Sequence, residues 1–350
     1  MENIEKRNYG IDLLRFILMF MVCVLHTLGQ GGILDNVVNY NLYKILWFIE
    51  ITSYCAVNGY AFISGYIAKD TKKNNEKIIN MWFQIFFYSF VISIILKLLG
   101  FTDFADKKEL IKYALPITFN VFWYMSSYFI LFLVTPVLNN FLFKINKEES
   151  KKTLIILFVV FSIINFYKDT FCTELGYSPI WLIVLYCMGV LAKQVDLFKK
   201  CKSSSLIIAM LFNISITLLL VVNHSNYTLL SYISPTIVLN GIIIVILFSR
   251  IKLKGTVIKK LSPYVLGIYL FQLNPIIWEY IIKNRFIFVL EQKFFISIIL
   301  VFLLAGLIFI SGLIVEYIRQ KIFKLLKIEK LSKKVNVCLE KCLNKIISYI

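Results

Sequence analysis

The sequence predicts an all-α polytopic membrane protein with about ten transmembrane helices and both termini in the cytoplasm. Three observations predict it. Hydrophobic residues make up 59% of the 350 residues and charged residues only 17%, against about 45–50% and about 25% in soluble domains. The apolar residues fall into ten runs, near 9–28, 45–67, 78–99, 117–138, 153–168, 179–196, 205–222, 233–250, 261–282 and 294–318. A crossing helix needs about 20 apolar residues, and continuous runs without alternation fit helices and not a barrel. Finally, assigning the loops to opposite sides in turn leaves 28 Lys and Arg on the side of the N-terminus and 8 on the other. Cytoplasmic loops collect Lys and Arg, which sets the orientation.

The net charge of +18 therefore belongs to the inner loops, and nucleic-acid binding is not expected. The seven cysteines form no C-x-x-C pair and no cluster with the two histidines, so neither a metal site nor a disulfide framework is expected. The first apolar run has no small-residue cleavage site and reads as a retained helix. Residues 1–319 form one transmembrane domain. The tail 320–350 alternates basic and apolar residues and reads as an amphipathic helix on the inner membrane surface, against anionic lipid.

Charges inside a bilayer are costly, and the first run holds Asp12, Arg15 and His26. Arg15 and His26 are eleven positions apart, about 20° past three full turns, so they share one helix face. The rise between them is about 16.5 Å, half of the hydrocarbon core. Asp12 lies three residues before Arg15, close enough to pair with it. Two readings stand. Arg15 snorkels inward with Asp12 while His26 caps the outer interface; or Arg15 is the cation for a phosphorylated donor and His26 the base for proton transfer.

The second run, traversed outside to inside, brings Glu50 to the depth of His26, where it would orient the imidazole or raise its basicity. A Glu at the outer interface, solvated or paired with Lys44, is the plain alternative. Ser64 and Tyr66 flank Gly65 at the inner end, where a ligand or another backbone approaches closely. Trp123, Tyr124 and Tyr128 fall at the outer end of the fourth run. Aromatic-belt anchoring is the default at that depth, and stacking on sugar rings is also compatible. The ninth run carries Tyr269, Gln272 and Asn274 towards its outer half. His224 sits in an outer loop between asparagines and reads as solvated.

Several strings, taken in order, carry a resemblance. They are Asp12-Leu-Leu-Arg15, then ten residues and His26; FISGYI at 62–67; KIINMWFQIFFYS at 77–89; WYMSSYFILFLVTPVLN at 123–139; SPIWLIVLYCMGVLAK at 178–193; and SPYVLGIYLFQLNP at 262–275. Together they resemble membrane acyltransferase family 3, and within it the bacterial surface-polysaccharide O-acetyltransferases. The resemblance implies a multi-pass enzyme of the bacterial cytoplasmic membrane. Its donor would be acyl-CoA, usually acetyl-CoA, used as a substrate with no tightly bound cofactor. Its acceptor would be a glycan or a lipid-linked saccharide.

By the same resemblance His26 is essential and catalytic, with Glu50 in support. Arg15, Asp12, Ser64 and Tyr66 serve the donor, and Trp123, Tyr124, Tyr269, Gln272 and Asn274 serve the acceptor or support the site. Family members often have His where Gln272 stands and Glu where Leu273 stands. Lys72, Lys73 and Lys77 replace an arginine-rich stretch. The extra extracytoplasmic domain of some members is not expected in 350 residues. The competing expectation is a transporter or flippase using Asp12, Arg15 and His26 as a proton or anion path, although no inverted repeat is evident.

Overall fold

The computed structural model describes residues 7–69, 75–101, 107–224, 227–253 and 256–348. Lys6, Lys72, Lys73 and Lys254, which enter the loop charges, and the side chain of His224 lie outside the described residues. In order, the helices are α1 (Tyr9–Leu25), α2 (Ile33–Asn36), α3 (Tyr40–Tyr54), α4 (Ala56–Tyr66), α5 (Asn75–Phe86), α6 (Ile92–Leu98), α7 (Lys107–Ala114), α8 (Trp123–Leu142) and α9 (Lys147–Phe158). They continue with α10 (Pro179–Gln194), α11 (Ser203–His224), α12 (Pro235–Ser249), α13 (Thr256–Leu261), α14 (Val265–Gln272), α15 (Pro275–Ile277), α16 (Phe294–Leu325) and α17 (Ile328–Ile347). Wider π-helical turns follow α1 at His26–Gln30, α5 at Phe87–Val91, α9 at Val159–Ile164 and α15 at Trp278–Ile282. No strand occurs among the described residues.

Polar side chains open these helices where their free N–H groups need acceptors. Asn8 accepts from the amides of Gly10 and Ile11 at the start of α1. Asn146 and Glu149 form a reciprocal capping box at α9. Ser178 and Asn274 cap α10 and α15, each followed by proline in the first turn.

Among the described residues, five helical segments are long and apolar enough to cross a membrane: Tyr9–Asn36, Asn75–Leu98, Trp123–Leu142, Ser203–Asn223 and Phe294–Leu325. A pair bent by 57°, Ile258–Gln272 with Pro275–Glu291, adds a sixth. The chain is therefore a multi-pass all-helical membrane protein. Length and composition carry fewer spans than the ten apolar runs, for physical reasons. The run at 45–67 is interrupted at Cys55 between α3 and α4. α10 and α12 have 16 and 15 residues, about 24 Å or less at 1.5 Å per residue, short of a hydrocarbon core of about 30 Å. Both are largely buried in the bundle.

α1 is the central helix, packed by α3, α4, α12, α14 and α16, with Leu14, Leu18 and Cys23 fully buried. The closest pair is α4 with α10. A Cβ added to Gly65 would meet the carbonyl of Tyr186, and one added to Gly189 would meet the carbonyl of Phe62 and the amide of Tyr66. Small residues let backbones touch in this way where no hydrophobic force drives helices together. Gly189→Ala is expected to destabilise the bundle by about 1–3 kcal/mol, because backbone and not a flexible side chain must yield. Thermal unfolding in detergent checks this; an unchanged midpoint would contradict the backbone contact.

α16 runs unbroken past position 319, so residues 320–325 belong to it and the amphipathic tail helix is α17. Ser332 of α17 donates to Asn80 Oδ1 on α5 at 2.6 Å. Near the end of α16, Glu316 is completely buried. It accepts from Arg319 at 2.7 and 2.8 Å, from Tyr88 at 2.9 Å, from Gln320 at 3.0 Å and from Gln84 at 3.2 Å. A buried carboxylate surrounded by donors holds α16 to α5 and its π-helical extension without an unpaired charge.

Candidate active site

α1 delivers both ends of the site. Asp12, 3% exposed, accepts from Arg15 Nη1 at 3.0 Å, from Arg7 Nε and from Ser262 Oγ at 3.3 Å. One carboxylate between two guanidiniums leaves this corner cationic. The Tyr60 hydroxyl donates to the carbonyl of Arg15. The guanidinium of Arg15 borders two cavities. The smaller, about 310 Å³, is also lined by Lys69, Lys77, Asn139 and Tyr186. The larger, about 520 Å³, runs along α1 to His26. Arg15, Ser64 and Tyr128 line both and form the partition, with Ser64 Oγ 3.4 Å from the Tyr128 hydroxyl.

His26 begins the π-helical turn that ends α1, a backbone irregularity often found at functional sites. Two side chains fix its ring. Nδ1–H donates to Gln272 Oε1 at 3.0 Å, and the Gln272 amide nitrogen faces Met19 Sδ at 3.7 Å. Trp278 meets the imidazole edge-on, with centroids 5.3 Å apart. Gln272 ends α14 and Trp278 begins the π-helical turn after α15, so the 57° bend between them is what lets one broken helix grip the ring twice. Asn274 makes the bend. Its oxygen caps the amides of Ile276 and Ile277, and its nitrogen donates to Tyr88 O at 2.8 Å and Ser93 Oγ at 2.9 Å. With Nδ1–H spent on Gln272, Nε2 carries the lone pair.

The expected residues thus separate. Arg15, His26, Glu50, Ser64, Trp123, Tyr124 and Tyr269 line the larger cavity, as does Tyr128. Gln272 and Asn274 stand behind it as supports. The partner of His26 is Gln272, where Glu50 was expected to orient the ring. Tyr66 lines neither cavity; its hydroxyl donates to Ser249 Oγ at 3.3 Å and its ring stacks on Phe62. Sequence reasoning passed over Tyr60, Lys69, Ser262 and Trp278, which no local pattern distinguishes from packing, interface or loop residues.

A family model described as an acyltransferase domain matches residues 8–318. The chain belongs to this acyltransferase family. No curated protein and no solved structure matches it. The matched region of the acyltransferase takes in both cavities and ends within α16. Among the described residues no group of His, Cys, Asp and Glu is arranged to hold a metal ion.

For the acyltransferase, the Gln272 contact carries a prediction. Gln272→Ala is expected to lower the rate about 5–30-fold, the worth of one or two hydrogen bonds near 1 kcal/mol each. The pH–rate profile should keep its shape, since an amide does not titrate. Rates across pH 5–9 for Gln272→Ala and Gln272→His check it; unchanged rates in both would remove Gln272 from the site.

Proposed function

We propose that this membrane acyltransferase moves an acetyl group from acetyl-CoA to a hydroxyl of a cell-surface glycan or lipid-linked saccharide. The observation that carries the reading is the position of Arg15 in the wall of both cavities, with His26 at the far end of the larger one on the same helix. A guanidinium beside Lys69 and Lys77 suits the phosphates of CoA. The rise of about 16.5 Å from Arg15 to His26 suits an extended pantetheine arm carrying the thioester towards the imidazole.

His26 Nε2 takes the proton of the acceptor hydroxyl as its oxygen attacks the thioester carbonyl. A C–O bond forms, the C–S bond breaks, and the proton passes from Nε2 to the departing thiolate. Trp123, Tyr124 and Tyr269 offer ring faces to the saccharide. The test is transfer of labelled acetyl from acetyl-CoA to added saccharide by the protein in nanodiscs. The absence of both transfer and donor hydrolysis would overturn the reading.

The same reading has ten crossings, both termini inside and a bacterial cytoplasmic membrane around them, with α17 lying on anionic lipid. The charge asymmetry of the loops supports it. Native cysteines provide the check. Cys172, exposed between α9 and α10, should react with an impermeant maleimide on intact cells. Cys201, Cys338 and Cys342, also exposed, should react only after permeabilisation. The reverse pattern would invert the orientation.

A further inference from the structure

Glu50 is the one carboxylate among the described residues that line the larger cavity. It is 6% exposed, and its Oε2 has no hydrogen-bond partner among the described residues. The cation in the same wall, Arg15, already binds Asp12 near the inner end. Lys44, on the same helix as Glu50, lies over the Tyr40 ring at 4.0 Å. A desolvated carboxylate without a compensating cation is costly, so such a group either takes up a proton or is completed by a cationic partner.

The surroundings say what that is. Tyr54 lies one turn along α3 from Glu50 and lines the cavity with it. Tyr232 packs 5.0 Å from Tyr54, Tyr177 5.1 Å from Tyr232, and Trp123 4.6 Å from Tyr177. All four line the cavity, so a cluster of aromatic rings shares it with a buried acid. Aromatic faces and a carboxylate attract the same partner, a cation. Space for it exists: a Cβ added to Gly29 would have Glu50 Oε1 as its nearest neighbour, at 3.7 Å. Gly29 is in the same π-helical turn as His26, about 5 Å along the helix at 1.5 Å per residue, the reach across a sugar ring.

We propose that this end of the cavity is an acceptor subsite for a hydroxylated ring bearing an ammonium group, an amino sugar, with the ammonium on Glu50 and a ring hydroxyl at His26. The inference rests on the acyl-transfer reading above and deepens it. An ammonium held by Glu50 donates to Oε1, the carboxyl oxygen beside Gly29, in a charge-assisted hydrogen bond. It has no lone pair, so it cannot attack the thioester, and the hydroxyl facing Nε2 becomes the nucleophile. Glu50 thereby directs transfer to oxygen and not to nitrogen. A neutral sugar would leave the carboxylate without its counter-charge.

The test uses the full-length protein in nanodiscs with two probes, methyl glucosaminide and methyl glucoside. Binding is read by tryptophan fluorescence without donor, and transfer by CoA release with acetyl-CoA. The wild type is expected to prefer the glucosaminide by about tenfold or more, the worth of one charge-assisted contact. Glu50→Gln should bring that ratio close to one, and Gly29→Val should weaken glucosaminide binding by filling the space beside the carboxyl. Equal binding of the two probes by the wild type would overturn the proposal, as would a preference that survives in Glu50→Gln. If Glu50→Gln does not fold, the wild-type ratio and Gly29→Val decide. Discrimination in binding without any transfer would sink the acyl-transfer reading and leave the subsite standing. Transfer without discrimination would do the opposite.

Discussion

His26→Ala abolishes acyl transfer while CoA still binds. The expected loss is about a hundred- to ten-thousandfold, the range of a positioned general base. The two side chains that touch the ring cannot replace it: Gln272, at 3.0 Å, is an amide that neither gains nor loses a proton near neutral pH, and Trp278 is a donor only. The imidazole contributes little to the phosphate end, which lies about three turns away on α1. Equilibrium binding of CoA and single-turnover release of thiol separate the two effects. A variant that transfers at the wild-type rate would remove His26 from the chemistry.

Arg15→Ala has the opposite signature. Donor affinity is expected to fall about 10–100-fold, since a charge-assisted phosphate contact is worth about 1.5–3 kcal/mol. The fold tolerates the loss because Asp12 keeps Arg7 and Ser262 as partners, so no buried carboxylate is orphaned. Arg15→Lys should recover part of the affinity, as a point charge lacks the planar fork. Normal donor binding in Arg15→Ala, together with poor binding in His26→Ala, would exchange the two roles.

What the sequence made legible follows helix geometry. Arg15 and His26 lie on one uninterrupted apolar run, so their shared face could be read from a spacing of eleven. The grip on His26 could not. Gln272 and Trp278 are about 250 positions away in the chain, and only a bend of 57° at Asn274–Pro275 brings both to one ring. Depth alone set Glu50 level with His26, and because depth says nothing of rotation about α3, it could not say which side chain meets the ring. The buried pair Glu316–Arg319 had a readable signal, an acid three residues before a base at the end of an apolar run. It was lost because Arg319 was counted only among the charges of the inner side, at the boundary of the domain, whereas α16 continues to Leu325.

Water-sized space inside a membrane protein lowers the cost of bringing an ion into it. Arg15 stands in the partition between the two cavities with a charge that no physiological pH removes. A hydronium or sodium ion moving along a water thread there would meet a fixed positive charge in a low-dielectric setting, the arrangement by which narrow pores exclude cations. The charge proposed to attract the donor phosphates would by the same sign repel small cations from the space it borders.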